Sequence, residues 1–445
     1  AGAHEVRPPP ATGPYAYNAF VPPGTTGFSY VDPVFGETVR RLTTDHVRDD
    51  LYARNMWWNA DETLYLHLAA GDGGESAPVW NVIDVAGGAV THRGIPIGMI
   101  AGDGGFDPKD PAILYYYGRD GIHRVRLAPG GRWRDRLYWT PPEGAALRPL
   151  GGTLNWLDAA GRFMLVRYGP EPSVRLYDRR AMDRGPYANP IDGSRYIDTG
   201  SYIGVSPDGR YLVGYDSSPG AGVYGMGQAV SWELDHAARE IAAAPRVFWS
   251  LCGDHGSLIS ASDGRDYMIV NACHTRPGLW RVAVGNDARG LDEAEQQALP
   301  NNRLLLAYAT WNDASHVATA AWGDWAFVST EDRTDAFDSG TSGAGGDITP
   351  WHAYRQEILA LDVITGEIRR LAHHRSRFHP GCGQPGGPPC DYASTPRVSA
   401  GWSGRIVGFA SNFNQSGADG TPVVDVYAIP FVRKPPGRWP RRDGS

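Results

Sequence analysis

The sequence predicts an all-β protein: a seven-bladed β-propeller, four antiparallel strands per blade, with the ring closed by an N-terminal strand. Three observations carry that prediction. A hairpin signature, a short strand and an Asp/Gly turn leading into an aromatic or aliphatic strand, recurs seven times. Most copies are followed by a strand of alternating character. The 57 Gly, 35 Pro, 15 Trp and 22 Tyr in 445 residues supply the turns and aromatic packing such a repeat needs.

The seven hairpins are NADETLYLHLA (59–69), DPKDPAILYYYG (107–118), DAAGRFMLVRYG (158–169), SPDGRYLVGYD (206–216), SDGRDYMIVNA (262–272), WGDWAFVSTED (322–332) and GWSGRIVGFASN (401–412). Their spacing starts near 50 residues and lengthens later, as propeller blades allow. Third strands follow as VWNVIDV (79–85), IHRVRLA (122–128), AVSWELD (229–235), EILALDV (357–363) and VVDVYAI (423–429). A fourth segment such as GEIRRLA (366–372) completes a blade. Two tandem β-sandwiches would not account for seven like hairpins. FSYVDPVFGETVRRL reads as an outer strand pair with no inner strands before it, so the segment 28–43 is expected to close the ring against the last blade. The chain therefore reads as one propeller domain over 1–445, with blades over about 44–430 and Pro/Arg-rich arms at 1–25 and 431–445.

Apolar residues at 42% and charged residues at 20% describe an ordinary globular chain. No apolar run approaches the length of a membrane span. A net charge of −7 without long like-charge blocks argues against nucleic acid as the main partner. The first residues, AGAHEVRPPPATGPYAYNAF, lack a basic and an apolar leader region and read either as a mature chain after signal removal or as a cytosolic one. Cys382 and Cys390 bracket a Gly/Pro loop, expected to be closed by a disulfide, which favours a secreted or periplasmic location. A monomer is expected.

The start of each innermost strand and the end of the next lie at the same end of a blade. Those positions hold Arg54, Asn55, Asn155, Tyr202, His255, His316 and Arg397, then His67, Tyr117, Arg167, Tyr215 with Asp216, Asn271 with His274, Glu331 with Asp332, and Asn412 with Asn414. The second blade is apolar there (IGMIA) and contributes nothing obvious. Two concentric sets of His, Tyr, Arg and Asn are costly to bury without partners and suit a wet funnel, though about half are expected to be ties between blades. His4, His46, His92, His123 and His236 read as structural or surface residues, and Trp57, Trp58, Trp156, Trp249, Trp311 and Trp322 as blade-interface filling. The DGGFDPKD loop (103–110) reads as a turn, not a calcium site. Cys252, His255, Cys273 and His274 project from one hairpin, either as a zinc site or as a Cys252–Cys273 disulfide with two bystander histidines. No paired glycosidase carboxylates, G-x-S-x-G, phosphate loop or dinucleotide fingerprint occurs.

The seven Asp-Gly hairpins resemble those of TolB-like propellers, and the His/Tyr/Arg funnel is similar to that of propeller-type polysaccharide lyases, including oligogalacturonate, ulvan and rhamnose–glucuronate lyases. His316, in NDASHVATAAWGDW, lies where oligogalacturonate lyases place a metal-binding His. Their second cluster, His-Pro-His on the last blade, is replaced by STPRVSAGW, for which His373 and His374 are candidate substitutes. The resemblance to ulvan lyases implies a zinc held by Cys252, His255, Cys273 and His274, with manganese or calcium as other divalent candidates. It implies β-elimination on an acidic polysaccharide or oligosaccharide. Arg167 or Arg397 would clamp the uronate carboxylate; His67, Tyr117, Tyr202, His255 and His316 are the proton-carrier candidates; and Arg54, Asn55, Asn155 and Asn412 would bind substrate. Two other readings stay open: a non-catalytic glycan- or protein-binding propeller, and a metal-dependent hydrolase or lactonase propeller.

Overall fold

In the computed structural model the described residues are 21–32, 34–44, 57–69, 78–99, 103–150, 155–169, 173–196, 202–223, 225, 227–253, 256–272, 276–308, 315–330, 353–354, 356–376, 395–413, 415 and 423–431, with backbone alone at 14–15 and 351–352. They form seven small antiparallel sheets arranged as a seven-bladed propeller, with a separate two-stranded pairing of Pro14–Tyr15 and Trp351–His352. Every repeated hairpin leads into a blade's second strand: Leu64–Ala69, Ile113–Tyr117, Phe163–Tyr168, Tyr211–Asp216, Asp266–Ala272, Trp325–Thr330 and Ile406–Ser411.

The repeat folds this way because a small polar side chain captures the turn. Asn59 Oδ1 accepts the backbone N–H groups of Thr63 (2.9 Å) and Leu64 (2.8 Å), and Asp158 Oδ1 those of Arg162 (2.5 Å) and Phe163 (2.8 Å). Ser206 Oγ does the same for Arg210 (3.1 Å) and Tyr211 (3.0 Å). These side chains satisfy backbone donors that the reversal would strand, so the motif's polar residue is a structural part.

The inner strand is often rudimentary. Among the described residues of the first blade it is the bridge Trp58 to Tyr65; in the third, Leu147–Arg148 pairs with Phe163–Tyr168 and Leu157 bridges to Met164. The outer strands vary too: Gln228–Asp235 of the fourth blade pairs with both Glu240–Ile241 and Arg246–Trp249. The ring closes as expected. Thr38–Arg41 pairs with Asp425–Pro430 of the seventh blade, and Ser29–Val31 pairs in turn with Thr38–Arg41. The closure is pinned by a buried ion pair, Arg41 to Asp425 at 2.5 Å, and by Thr43 Oγ1 donating to Asp425 Oδ1 at 3.0 Å.

Apolar burial lies between blades. One cluster joins Tyr115, Trp156, Phe163 and Trp232 across the second to fourth blades; another joins Phe327, Leu371, Phe409 and Tyr427 across the sixth and seventh. Trp57, Trp58, Trp156 and Trp249 are all buried, as interface filling requires. His92 and His236 are tied to backbone carbonyls, of Ala128 (3.0 Å) and Gly209 (2.8 Å) respectively. No helix among the described residues is long and apolar enough to cross a membrane.

Candidate functional site

Most of the expected site positions that are described are buried, not lining open solvent. Two act as ties. Tyr117 is fully buried; its hydroxyl donates to the Leu165 carbonyl in the third blade, and its ring meets Trp156 edge-on at 5.5 Å. Burial, then the nearby Asp103 carboxylate, pushes its pKa well above that of an ordinary tyrosine. Tyr202 stacks on Tyr215 at 5.1 Å and donates to the Gly253 carbonyl at 3.0 Å, joining the fourth blade to the fifth. Both hydroxyls donate to backbone carbonyls of the neighbouring blade. Asn271, at the end of Asp266–Ala272, likewise accepts from Tyr308 at 2.6 Å.

Arg167 is half-buried near the end of Phe163–Tyr168, where its Nη1 donates to the Pro149 carbonyl at 3.0 Å. Burial, followed by the adjacent Arg148, lowers its pKa, while Asp103 raises it. Asn155 is half-buried, and its backbone carbonyl accepts from Val205, tying the third blade to the fourth. His67 lies opposite Asn81 and is buried.

Asp103 is a residue that sequence reasoning missed. It is fully buried, accepts the Leu150 N–H at 2.6 Å, and is felt by both Tyr117 and Arg167. Among the described residues the second blade's inner strand is Gly105–Phe106, and a fixed offset back from the turn lands on the apolar stretch and passes over this carboxylate. The blade does contribute a polar group. The neighbouring Asp107 accepts the Lys109 and Asp110 N–H groups and pairs with Arg179 at 3.2 Å, so the loop turns from Asp107 onward, while Gly105–Phe106 before it is strand.

The sixth and seventh blades bring together the other sector. His316 is the second residue of Ser315–Thr319, opposite Ser329; Arg397 precedes Val398–Ala400; Asn412 follows Ile406–Ser411. All three are buried. Asn412 Oδ1 accepts from Ser376 Oγ at 3.5 Å, and the Arg397 carbonyl accepts the Ala410 N–H at 3.1 Å. Arg375, at φ 56°, is also fully buried, and Glu357 and Arg370 form a buried ion pair nearby. No signal in the repeat marks Arg375, because it follows the outermost strand of its blade.

His374 does not suit the metal role considered for it. Its Nδ1 accepts the Ser376 N–H at 3.0 Å and its Nε2 donates to the Thr330 carbonyl at 2.9 Å, so both nitrogens are engaged. His373 Nδ1 accepts the Arg375 N–H at 3.2 Å. Cys252 is disulfide-bonded, and a sulfur in that state is no thiolate ligand. This corrects Cys252 as a zinc ligand; His255, Cys273 and His274 lie outside the described residues, as do Arg54, Asn55, Cys382 and Cys390. Among the described residues no three His, Cys, Asp or Glu side chains assemble to hold a metal ion. Two clefts of about 610 and 530 Å³, one beside Trp280 and Asp292 and one beside Glu233 and His236, contain none of the candidate residues.

No protein-family model matches the sequence, and no curated protein does. Solved structures do match the fold. An oligogalacturonate lyase from Vibrio parahaemolyticus aligns with a TM-score of 0.53 at 12% identity, covering 91% of this chain and 96% of that one. An oligogalacturonate lyase in complex with manganese aligns at 0.52 and 13%, with the same coverage. A puromycin hydrolase aligns at 0.43, too distantly to bear on the site. At these identities the likeness is one of fold: the chain is a seven-bladed β-propeller similar in architecture to oligogalacturonate lyases.

Proposed function

We propose that the protein is a polysaccharide lyase that cleaves a uronic-acid-containing glycan by β-elimination at the funnel end of its blades. The observation that carries this reading is the placement of an imidazole, His316, and a guanidinium, Arg397, at the same end of two adjacent blades. The whole-chain likeness to two oligogalacturonate lyases supports it. In the proposed reaction the uronate C5–H bond breaks, its electron pair forms the C4–C5 double bond, and the C4–O4 bond breaks. The removed proton goes to His316, and O4 leaves after gaining a proton from solvent or a second acid. Charge builds on the uronate carboxylate as C5 loses its proton, and Arg397, or the more accessible Arg167, stabilises it there. Asn155 and Asn412 would position the sugar.

A divalent metal belongs to the proposal, since one lyase of this architecture was solved with manganese. The described residues do not form a ligand set, so no step is routed through the metal. An acidic oligosaccharide as substrate, an exported location and a monomeric state are parts of the same proposal. The test is ultraviolet absorbance of the unsaturated uronate product on polygalacturonate, ulvan, glycosaminoglycans and gum arabic, with divalent metal supplied. New reducing ends without that absorbance would instead identify a hydrolase, and saturable glycan binding without turnover a binding propeller.

A further inference from the structure

The outer half of the second blade carries a concentration of positive charge that the funnel does not use. Strands Ile122–Ala128 and Arg132–Trp139 pair so that Arg124 lies opposite Arg136 and Arg126 opposite Arg134. Directly opposed residues of an antiparallel pair project to the same side, as do residues two apart along a strand. Arg124, Arg126, Arg132, Arg134 and Arg136 therefore share one face of a two-stranded ribbon. Arg126, Arg132, Arg134 and Arg136 are exposed, and Arg124 is half-buried. Across the strands such groups stand about 5 Å apart, and along a strand about 7 Å.

Like charges directly opposite one another destabilise a sheet, and this face has little to offset them. Among the described residues, only Arg126 meets a carboxylate, Asp110 at 3.0 Å, and that pair is exposed. Asp135 projects to the other face, where it is held by His123 (3.0 Å) and the Tyr116 hydroxyl (2.5 Å). The ribbon is cationic on a chain whose net charge is −7, so the charge is local.

We infer that this ribbon is an accessory binding surface, outside the funnel, for a linear polyanionic glycan carrying carboxylate or sulfate groups. Arginine offers paired donors in a planar fork that matches either group, and a row of them at regular spacing suits a chain with regularly repeated charge. Single-stranded nucleic acid would need ring faces for its bases. The aromatic residues here are turned into blade contacts: Tyr138 against Tyr115 at 5.4 Å, Trp139 against Tyr177 at 5.3 Å, and Trp133 donating to the Arg93 carbonyl at 3.0 Å. The cationic face stands on its own geometry; the choice of a glycan as its occupant rests on the proposed function.

The test compares wild type with the triple variant Arg132→Ser, Arg134→Ser, Arg136→Ser, whose changes are all exposed and relieve repulsion, so its melting temperature should hold or rise. Binding to polygalacturonate and to heparin is measured over a range of salt, with duplex DNA as competitor. The expected result is salt-dependent binding that the triple variant weakens on the order of tenfold, with a shallower salt slope. Equal affinity of wild type and variant would overturn the inference, and tighter binding of duplex DNA than of either glycan at equal salt would overturn the glycan assignment. Binding lost in the triple variant without any unsaturated product from wild type would retain the ribbon and reject the lyase. Product formed with unaltered binding would do the reverse.

Discussion

Asp158 shows how one turn residue sets a pH response. Burial raises its carboxyl to a pKa of about 6, although the Phe163 and Arg162 N–H groups oppose the shift. A folded-state pKa above the unfolded one means stability is fully present below the ordinary carboxylate range and is lost as pH rises through about 6. Asn59 fills the equivalent position in the first blade with the same pair of hydrogen bonds, so Asp158→Asn should keep the turn and remove the buried charge. Thermal melts from pH 4 to pH 8 should show the wild type losing about 1–3 kcal/mol relative to the variant. Parallel curves would show that the charge is not penalised. Tyr117→Phe tests a different assignment. Removing its hydroxyl strands the buried Leu165 carbonyl and should cost about 1–3 kcal/mol of stability, with turnover of any substrate unchanged; a loss of kcat in a variant that melts normally would restore Tyr117 as a catalytic residue.

At the scale of the element, the ring closure is a contact that can be tested directly. Arg41 and Asp425 are joined across the two ends of the described chain in a buried pair. Removing one partner leaves a charge without compensation, so Asp425→Ala should cost about 3–5 kcal/mol. The double variant Arg41→Ala, Asp425→Ala should cost less than the sum of the two single changes. Denaturant unfolding checks this, and strict additivity would mean the pair is not coupled. The closing strand was legible because VRRL offers alternation with no inner neighbour before it. The seven hairpins were legible for the same reason their turns fold: Asn, Asp or Ser at a fixed distance before an aliphatic or aromatic strand is a local, mechanistic signal. What was not legible is the length of each inner strand. Among the described residues the inner pairing runs from the single bridge Trp58 to Tyr65 in the first blade to five register pairs in the sixth, and nothing in the hairpin motif sets that length.

That loss of register decided how much of the site could be read across the whole molecule. The end of the second strand is fixed by the hairpin, and Tyr117, Arg167 and Asn412 fall at that end. The start of the inner strand is not so fixed, and Asp103 was passed over. Nor can a list of residue types separate a tie from a reagent. Tyr117, Tyr202 and Asn271 are polar residues at the funnel end whose hydrogen bonds are spent within the protein. The proposed lyase activity rests on His316 and Arg397. The direct measurement is the rate of unsaturated-product formation on polygalacturonate, with divalent metal supplied, for wild type, His316→Gln and Arg397→Lys, each first shown to melt as a folded protein. Wild type should form product, and each variant should be slower by on the order of 10²-fold or more. A wild type silent on this and every other uronate glycan, or variants as fast as wild type, would contradict the account.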